Sequence, residues 1–185
     1  MKGLISHASQ SDVEKLIFVS TSAVYGNQNR TVYEYSAVDP VTASAKAHVE
    51  VEQHIRSTFG DGGTIVRLSG LVDDDRHPAR SLSGRVDIAN GQQVVNLIHR
   101  ADVITAVEKI IQRQVYGQTL HLAAPDHPTR AEYYVATAKK MGISEPSFLF
   151  DESVGKGKSI NCELTLSALE LELKYPSPYD MGNIN

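Results

Sequence analysis

Two short apolar runs, Leu16-Ile17-Phe18-Val19 and Thr64-Ile65-Val66, flank one helix-length segment, and this spacing constrains the fold more than any other feature of the chain. Neither run alternates apolar with polar residues. Such runs suit strands covered on both faces, as in parallel sheets, and parallel neighbours need a crossover connection. Thr42–Phe59, "TASAKAHVEVEQHIRSTF", supplies it. Helix formers dominate this segment, and Ala45, Val49, Glu52/Gln53 and Ile55/Arg56 mark one side of it. Gly60, Gly62 and Gly63 then stop the helix. Residues 16–72 therefore read as strand–loop–helix–strand, with "GTIVRLSGLV" (63–72) as one continuous second strand and a right-handed crossover.

The rest is assigned by the same reasoning. Residues 1–10 read as the later part of a helix with Leu4, Ile5 and Ala8 on one face, and 26–41 as a polar, turn-rich loop ending at Asp39-Pro40. Residues 73–93 are loop-rich, 94–99 a short extended piece, 101–114 a helix, and "QTLHLAA" (118–124) a strand broken by Pro125 and Pro128. Thr129 caps a helix running to Met141, with Gly142 as its stop. "SFLFD" (147–151) reads as a short strand, followed by a Gly/Lys loop and a helix near 164–172. The pattern predicts an α/β fold.

Net charge is −4, which gives no electrostatic footprint for nucleic acid or an anionic membrane. Cys162 is the single cysteine, so no intramolecular disulfide forms and a reducing compartment fits. No apolar stretch approaches the ~20 residues needed to span a bilayer, and the N-terminus lacks a signal-peptide apolar core. The expected location is cytoplasmic. No His/Cys cluster with ligand spacing predicts a metal site.

The chemistry-bearing stretch is "STSAVYG" (20–26), with Ser20, Thr21 and Ser22 placed where the first strand ends. Open α/β sheets bind ligands at the carboxyl ends of their strands. The phosphate loop that usually accompanies such a site, G-x-G-x-x-G after a strand, does not occur in the sequence.

Several segments together resemble the extended short-chain dehydrogenase/reductases, the NAD-dependent epimerase/dehydratase family. "KLIFVSTSAVYG" is similar to that family's fifth strand and Val-Tyr-Gly turn, and "SAKAHVEVEQ" to the helix after it. "TIVRLSGLV" is similar to the sixth strand, "NLIHRADVITAV" to the histidine–aspartate segment, and "LHLAAPDHPTRAEYY" to the strand and helix that follow. "RHPARSLSG" and "KYPSPYDMG" resemble an atypical branch, and the likeness runs in unbroken order over roughly residues 1–182. It implies a partial doubly wound, Rossmann-like parallel sheet with a small α+β substrate lobe. Residues 1–72 would be the C-terminal half of a nucleotide-binding domain. Residues 73–185 would form mostly the substrate-binding lobe, with segments returning to the sheet. Relative to the family, the chain would lack the first four strands and the glycine-rich half.

The resemblance also implies roles. Thr21 and Ser22 would be the catalytic hydroxyls, Thr21 polarising the reacting oxygen, because a hydroxyl both donates and accepts. Ser20, Lys46, Leu68 and Ser69 would line the cofactor, NAD or NADP, with Lys46 on the nicotinamide ribose. Arg76, Arg80, Asn96 and His99 would face the substrate, the arginines suiting a phosphate or carboxylate. Ser22-Ala23 stands where family dehydratases carry Asp-Glu, and alanine moves no proton, which argues against dehydration by that route. The family's acid/base tyrosine, four residues before the lysine, is Thr42 here, whose hydroxyl does not titrate usefully.

Two functions follow as alternatives. One is an NAD(P)-dependent epimerase or reductase acting on a carbonyl or alcohol of a small, anionic or sugar-nucleotide-like substrate. The other is a non-catalytic binding or regulatory module on the same scaffold. The residues read without the family give plainer roles: hydroxyls satisfying a strand end, Lys46 paired with Glu50 on the helix surface, and arginines paired with Asp73–Asp75. "GKGKS" (155–159) ends like a phosphate loop but has Glu152 in place of its first glycine, so it is set aside. An uncovered edge at "KLIFVS" would invite a homodimer through strand pairing.

Overall fold

The computed structural model describes residues 1–73, 77–151 and 153–181. Helix α1 (Lys2–Ser9) leads into strand β1 (Leu16–Thr21), a 3₁₀ turn over Ser22–Tyr25, a short strand β2 (Thr31–Val32) and the long helix α2 (Ala43–Phe59). Strand β3 (Gly63–Leu68) follows and pairs in parallel with β1, Leu16 opposite Gly63 through Thr21 opposite Leu68. Strand β6 (Thr119–Leu122) pairs in parallel with the other edge of β3, giving the order β1–β3–β6.

The crossover is as the sequence predicts, but the strand read over 63–72 is two. At Ser69 the backbone N–H donates to the Leu122 carbonyl, completing the ladder with β6. At Gly70 it donates instead to the Asn96 carbonyl. From there β4 (Gly70–Val72) pairs with β5 (Leu97–His99) in a separate sheet. Apolar residues stand on both sides of this break, Ile65, Val66 and Leu68 before it and Leu71 and Val72 after it, so their pattern did not reveal it.

The strand expected over 147–151 also does not form. Phe148 makes a single bridge with Ile88, and the segment it faces holds Asp87 and Asn90 at φ 55° and 64°. Left-handed residues interrupt the extended backbone that a ladder requires. Helices α4 (Arg100–Gln112), α5 (Arg130–Lys140) and α6 (Glu163–Leu169) complete the regular structure, with a short α3 (Ala79–Leu82) and β7 (Ser159–Ile160) paired to β2. Thr129 starts α5 with a reciprocal capping box to Glu132, and α6 ends at Glu170, whose left-handed conformation stops it before the expected 172.

One face of the sheet packs Val66, Leu120 and Leu122 against Ala106 and Ile110 of α4 and Leu169 of α6. The other packs Ile65 against Ile55 of α2 and Ile5 of α1. A second core, with Val72, Leu97, Tyr133 and Tyr134, lies under β4, β5 and α5.

On the α2 face the register sets Ser20, Arg67 and His121 in one row across all three strands. Glu52 descends from α2 onto it. Arg67 and Glu52 are 5% and 3% exposed and pair through two bonds, Nε–Oε1 at 3.1 Å and Nη2–Oε2 at 2.6 Å. Ser20 donates to Glu52 at 2.5 Å, and Arg67 Nη1 donates to the Tyr25 hydroxyl at 2.6 Å. His121 Nδ1 lies 2.8 Å from the Asn161 carbonyl, which only accepts, so its hydrogen sits there and Nε2 accepts from Tyr25 at 2.5 Å. Burial pushes the His121 pKa down, consistent with this neutral form.

Removing one partner of a buried pair strands the other charge. Glu52→Ala is expected to cost about 3–5 kcal/mol in urea unfolding. Simultaneous Glu52→Leu and Arg67→Met should cost less than the single change, and a double change as costly as the single one would show that the charges are not what the fold relies on.

Candidate functional site

The carboxyl ends of β1 and β3 lie side by side and bring Thr21 and Ser22 next to Leu68 and Ser69. Thr21 caps the 3₁₀ turn, its Oγ1 accepting the Ala23 N–H at 3.1 Å. Its hydroxyl proton has no acceptor among the described residues, so the plain capping role and a donor role coexist in one group. The Ser22 side chain makes no hydrogen bond among the described residues and is half-buried. Ser69 is buried, and its Oγ has no hydrogen-bond partner among the described residues. A buried, unsatisfied hydroxyl costs roughly 1–3 kcal/mol, and a bound ligand atom is one way to recover it.

The turn itself depends on Gly26. It sits at φ +62°, and a Cβ placed there would lie 2.2 Å from the Asp39 carbonyl oxygen. That approach is fixed by the Asp39 N–H, which donates to Val24 O at 2.9 Å.

The expected cofactor residues separate into two groups. Ser20, one residue before Thr21, points to the opposite face and is held by Glu52 at 2.5 Å, with His48 Nδ1 at 3.4 Å. Leu68 is partly buried against the core shared with α4 and α6. Lys46 is exposed at the end of the first turn of α2, and its side chain has no polar partner among the described residues. The expected surface partner of Lys46, Glu50, pairs instead with Lys2 at 2.9 Å, which lowers its pKa. Thr42 is the N-cap of α2, its Oγ1 accepting the Ala45 N–H at 3.1 Å.

The expected substrate residues are dispersed. Arg80 is exposed on α3, and Arg76 lies outside the described residues. Beside them His77 is turned inward. Its Nδ1 accepts the Ala79 N–H at 3.2 Å, and the other ring nitrogen meets the Tyr133 hydroxyl at 3.0 Å. Burial, then the Arg80 charge, lowers its pKa. His99 is buried at the start of α4, accepting the Ala101 N–H at 3.2 Å, with its ring centroid 4.0 Å from that of Tyr175. Asn96 stays near the strand ends, because Gly70 donates to its carbonyl. Its side-chain amide donates to Lys158 O and accepts from Ile160 N–H, both at 2.8 Å, clipping β7 to β5.

The strand ends thus collect Thr21, Ser22, Leu68, Ser69 and Asn96, while Arg80 and His99 serve other places. Sequence reasoning missed two features. Arg67 inside an apolar strand and Glu52 on the buried side of α2 were a legible sign of the buried pair. Lys158, from the discarded "GKGKS", reaches the site by donating to Gly26 O at 2.5 Å. Among the described residues, no group of three His, Cys, Asp or Glu side chains is placed to hold a metal ion, and no helix is long and apolar enough to cross a membrane.

No family model matches the sequence. The protein YeeZ of Escherichia coli (strain K12) is 34% identical over 178 residues, 96% of this chain and 65% of YeeZ, so the chain spans about 65% of that relative's length. A functionally unknown conserved protein from Silicibacter pomeroyi DSS superposes with TM-score 0.80 at 20% identity, over 97% of this chain and 67% of its own. UDP-glucuronic acid 4-epimerase from Bacillus cereus, in complex with NAD, superposes with TM-score 0.81 at 15% identity, over 97% of this chain and 62% of its own. These likenesses establish a Rossmann-like α/β fold.

Gly26→Ala is expected to lose at least about 2 kcal/mol of stability by urea unfolding, since a left-handed backbone and a backbone clash add. A loss no larger than a surface substitution's would mean that the turn rearranges freely.

Proposed function

We propose that this chain is the substrate-side portion of an atypical NAD(P)-dependent epimerase or reductase of the extended short-chain dehydrogenase/reductase family, acting on a carbonyl or alcohol carbon of a small anionic or sugar-nucleotide-like molecule. The observation that carries the proposal is Thr21, at the carboxyl end of a parallel strand with its hydroxyl proton unspent. The motif order and the likeness to an epimerase solved with NAD support it.

Ser69 and Lys46 fit the nicotinamide end of the dinucleotide: one offers an unsatisfied buried hydroxyl, the other an ammonium with no protein partner among the described residues. The sequence contains no glycine loop for the pyrophosphate, and that part of the site falls to the longer enzyme this chain would belong to. When bound, the nicotinamide would exchange a hydride with the substrate carbon. Thr21 would hold the substrate oxygen by donating its proton, and Lys46 would orient the ribose. The 3₁₀ turn would fix Thr21 through the Ala23 N–H.

Thr42 favours a second reading, a binding module that has lost its chemistry. Its hydroxyl accepts the Ala45 N–H and starts α2, leaving no phenol at that position. Titration of the natural-length protein with NADH separates the two. The enzyme reading expects saturable binding weakened roughly tenfold or more by Lys46→Ala, the loss of a charge-assisted bond. It also expects Thr21→Val to depress hydride transfer without weakening NADH binding. No NADH binding at millimolar concentration leaves the binding module.

The β1 edge supports a further part of the proposal. β1 ends the sheet order, with Val19 46% exposed and an apolar cavity of about 330 Å³ beside it, lined by Met1, Phe18, Ala47 and Val51. Unpaired edges recruit strands. For the 185-residue chain by itself, a second copy is proposed to pair there, giving a dimer in analytical ultracentrifugation that Val19→Lys converts to monomer. A wild-type monomer at high concentration would count against it.

A further inference from the structure

A polar cavity of about 160 Å³ adjoins the Val-Tyr-Gly turn. Three separate segments wall it: Gly26, Asn27 and Gln28 after the turn, Gln93 and Asn96 ahead of β5, and Lys158 ahead of β7. Its walls are tied together. Gly157 N–H donates to Asn29 Oδ1 at 2.9 Å, Val94 N–H donates to Lys156 O at 2.9 Å, and the Asn96 amide is engaged at both ends. Among the described residues, no carboxylate lines the cavity.

Lys158 is half-buried, and its ammonium gives one hydrogen bond, to Gly26 O, leaving two protons without an acceptor among the described residues. Burial pushes its pKa below the usual lysine value, and no carboxylate among the described residues counters the shift. Withdrawing a cation from water without pairing it is unfavourable, and an anion corrects it most directly. Size sets the class of ligand. Drug-sized molecules occupy roughly 300–1,000 Å³, so this cavity takes one charged group of a molecule and not the whole.

We propose that Lys158 and the surrounding side-chain amides bind one anionic group, a phosphate or a carboxylate, of the molecule that reacts at the carboxyl ends of β1 and β3. That the group belongs to a substrate rests on the enzyme reading above; that the cavity binds an anion does not.

The test is a titration of the natural-length, ¹⁵N-labelled protein with inorganic phosphate and, separately, acetate, at constant ionic strength, followed by amide NMR. Saturable shifts centred on Gly26, Asn27 and Gly157 are expected. Response to phosphate alone identifies a phosphate site, to acetate alone a carboxylate site, and to both a site that reads charge. Lys158→Met should weaken the binding roughly tenfold or more, in line with a lost charge-assisted hydrogen bond, and its spectrum reports whether the variant is folded. If that variant does not fold, the location of the wild-type shifts decides. No saturable shift, shifts centred elsewhere, or unchanged affinity in Lys158→Met overturns the proposal. Anion binding without NADH binding would leave this cavity standing and the enzyme reading rejected; NADH binding without anion binding would do the reverse.

Discussion

The buried Glu52–Arg67 pair is the constraint on which the rest of the structure depends. Two charges withdrawn from water stabilise the fold only when their geometry is good and their remaining lone pairs and protons are met. Here the bidentate contact provides the geometry, and Ser20 and Tyr25 meet what is left. The consequences are positional. Glu52 fixes the rotation of α2 over the sheet. Arg67 fixes Tyr25, and Tyr25 fixes the turn that presents Thr21. His121 passes the same constraint to the Asn161 carbonyl, beside β7. A row of polar groups across three strands thus sets the relation of the sheet to the loops that border its carboxyl end.

Much of the scaffold was legible in the sequence. Unalternating apolar runs, a helix between them and a triple-glycine stop specify the β1–α2–β3 unit without outside information. Thr129 and Glu132 announce α5 through their spacing. The break at Ser69-Gly70 was not legible, because an apolar run looks the same whether its later half pairs with β6 or with β5; the partner strands decide. The failed strand at 147–151 has the same cause. Its residues favour extension, but the facing segment carries two left-handed residues.

The site was legible where it rides on a strand and illegible where loops build it. Thr21 and Ser22 follow from the end of the first apolar run, whereas Ser69, inside a run read as one strand, came only from the family resemblance. Ser20 was placed with them although alternation puts it on the other face. His99 was expected to face the substrate and instead caps α4 in three dimensions. Lys158 lies 132 residues from the glycine whose carbonyl it meets, and no local pattern encodes such a meeting.

Thr42 illustrates how a residue can be held in place for a reason unrelated to chemistry. As the first hydroxyl of α2 it satisfies a backbone donor that helix geometry leaves exposed, a contribution of about 1 kcal/mol. A tyrosine there would bring a phenol but carry its oxygen too far out to cap. Placing a phenol at this position is therefore not a single-step change: the helix start would have to move, or a neighbouring residue take over the cap, before it could settle. The N-terminus of one helix thus limits which side chains position 42 can carry, whatever chemistry takes place nearby.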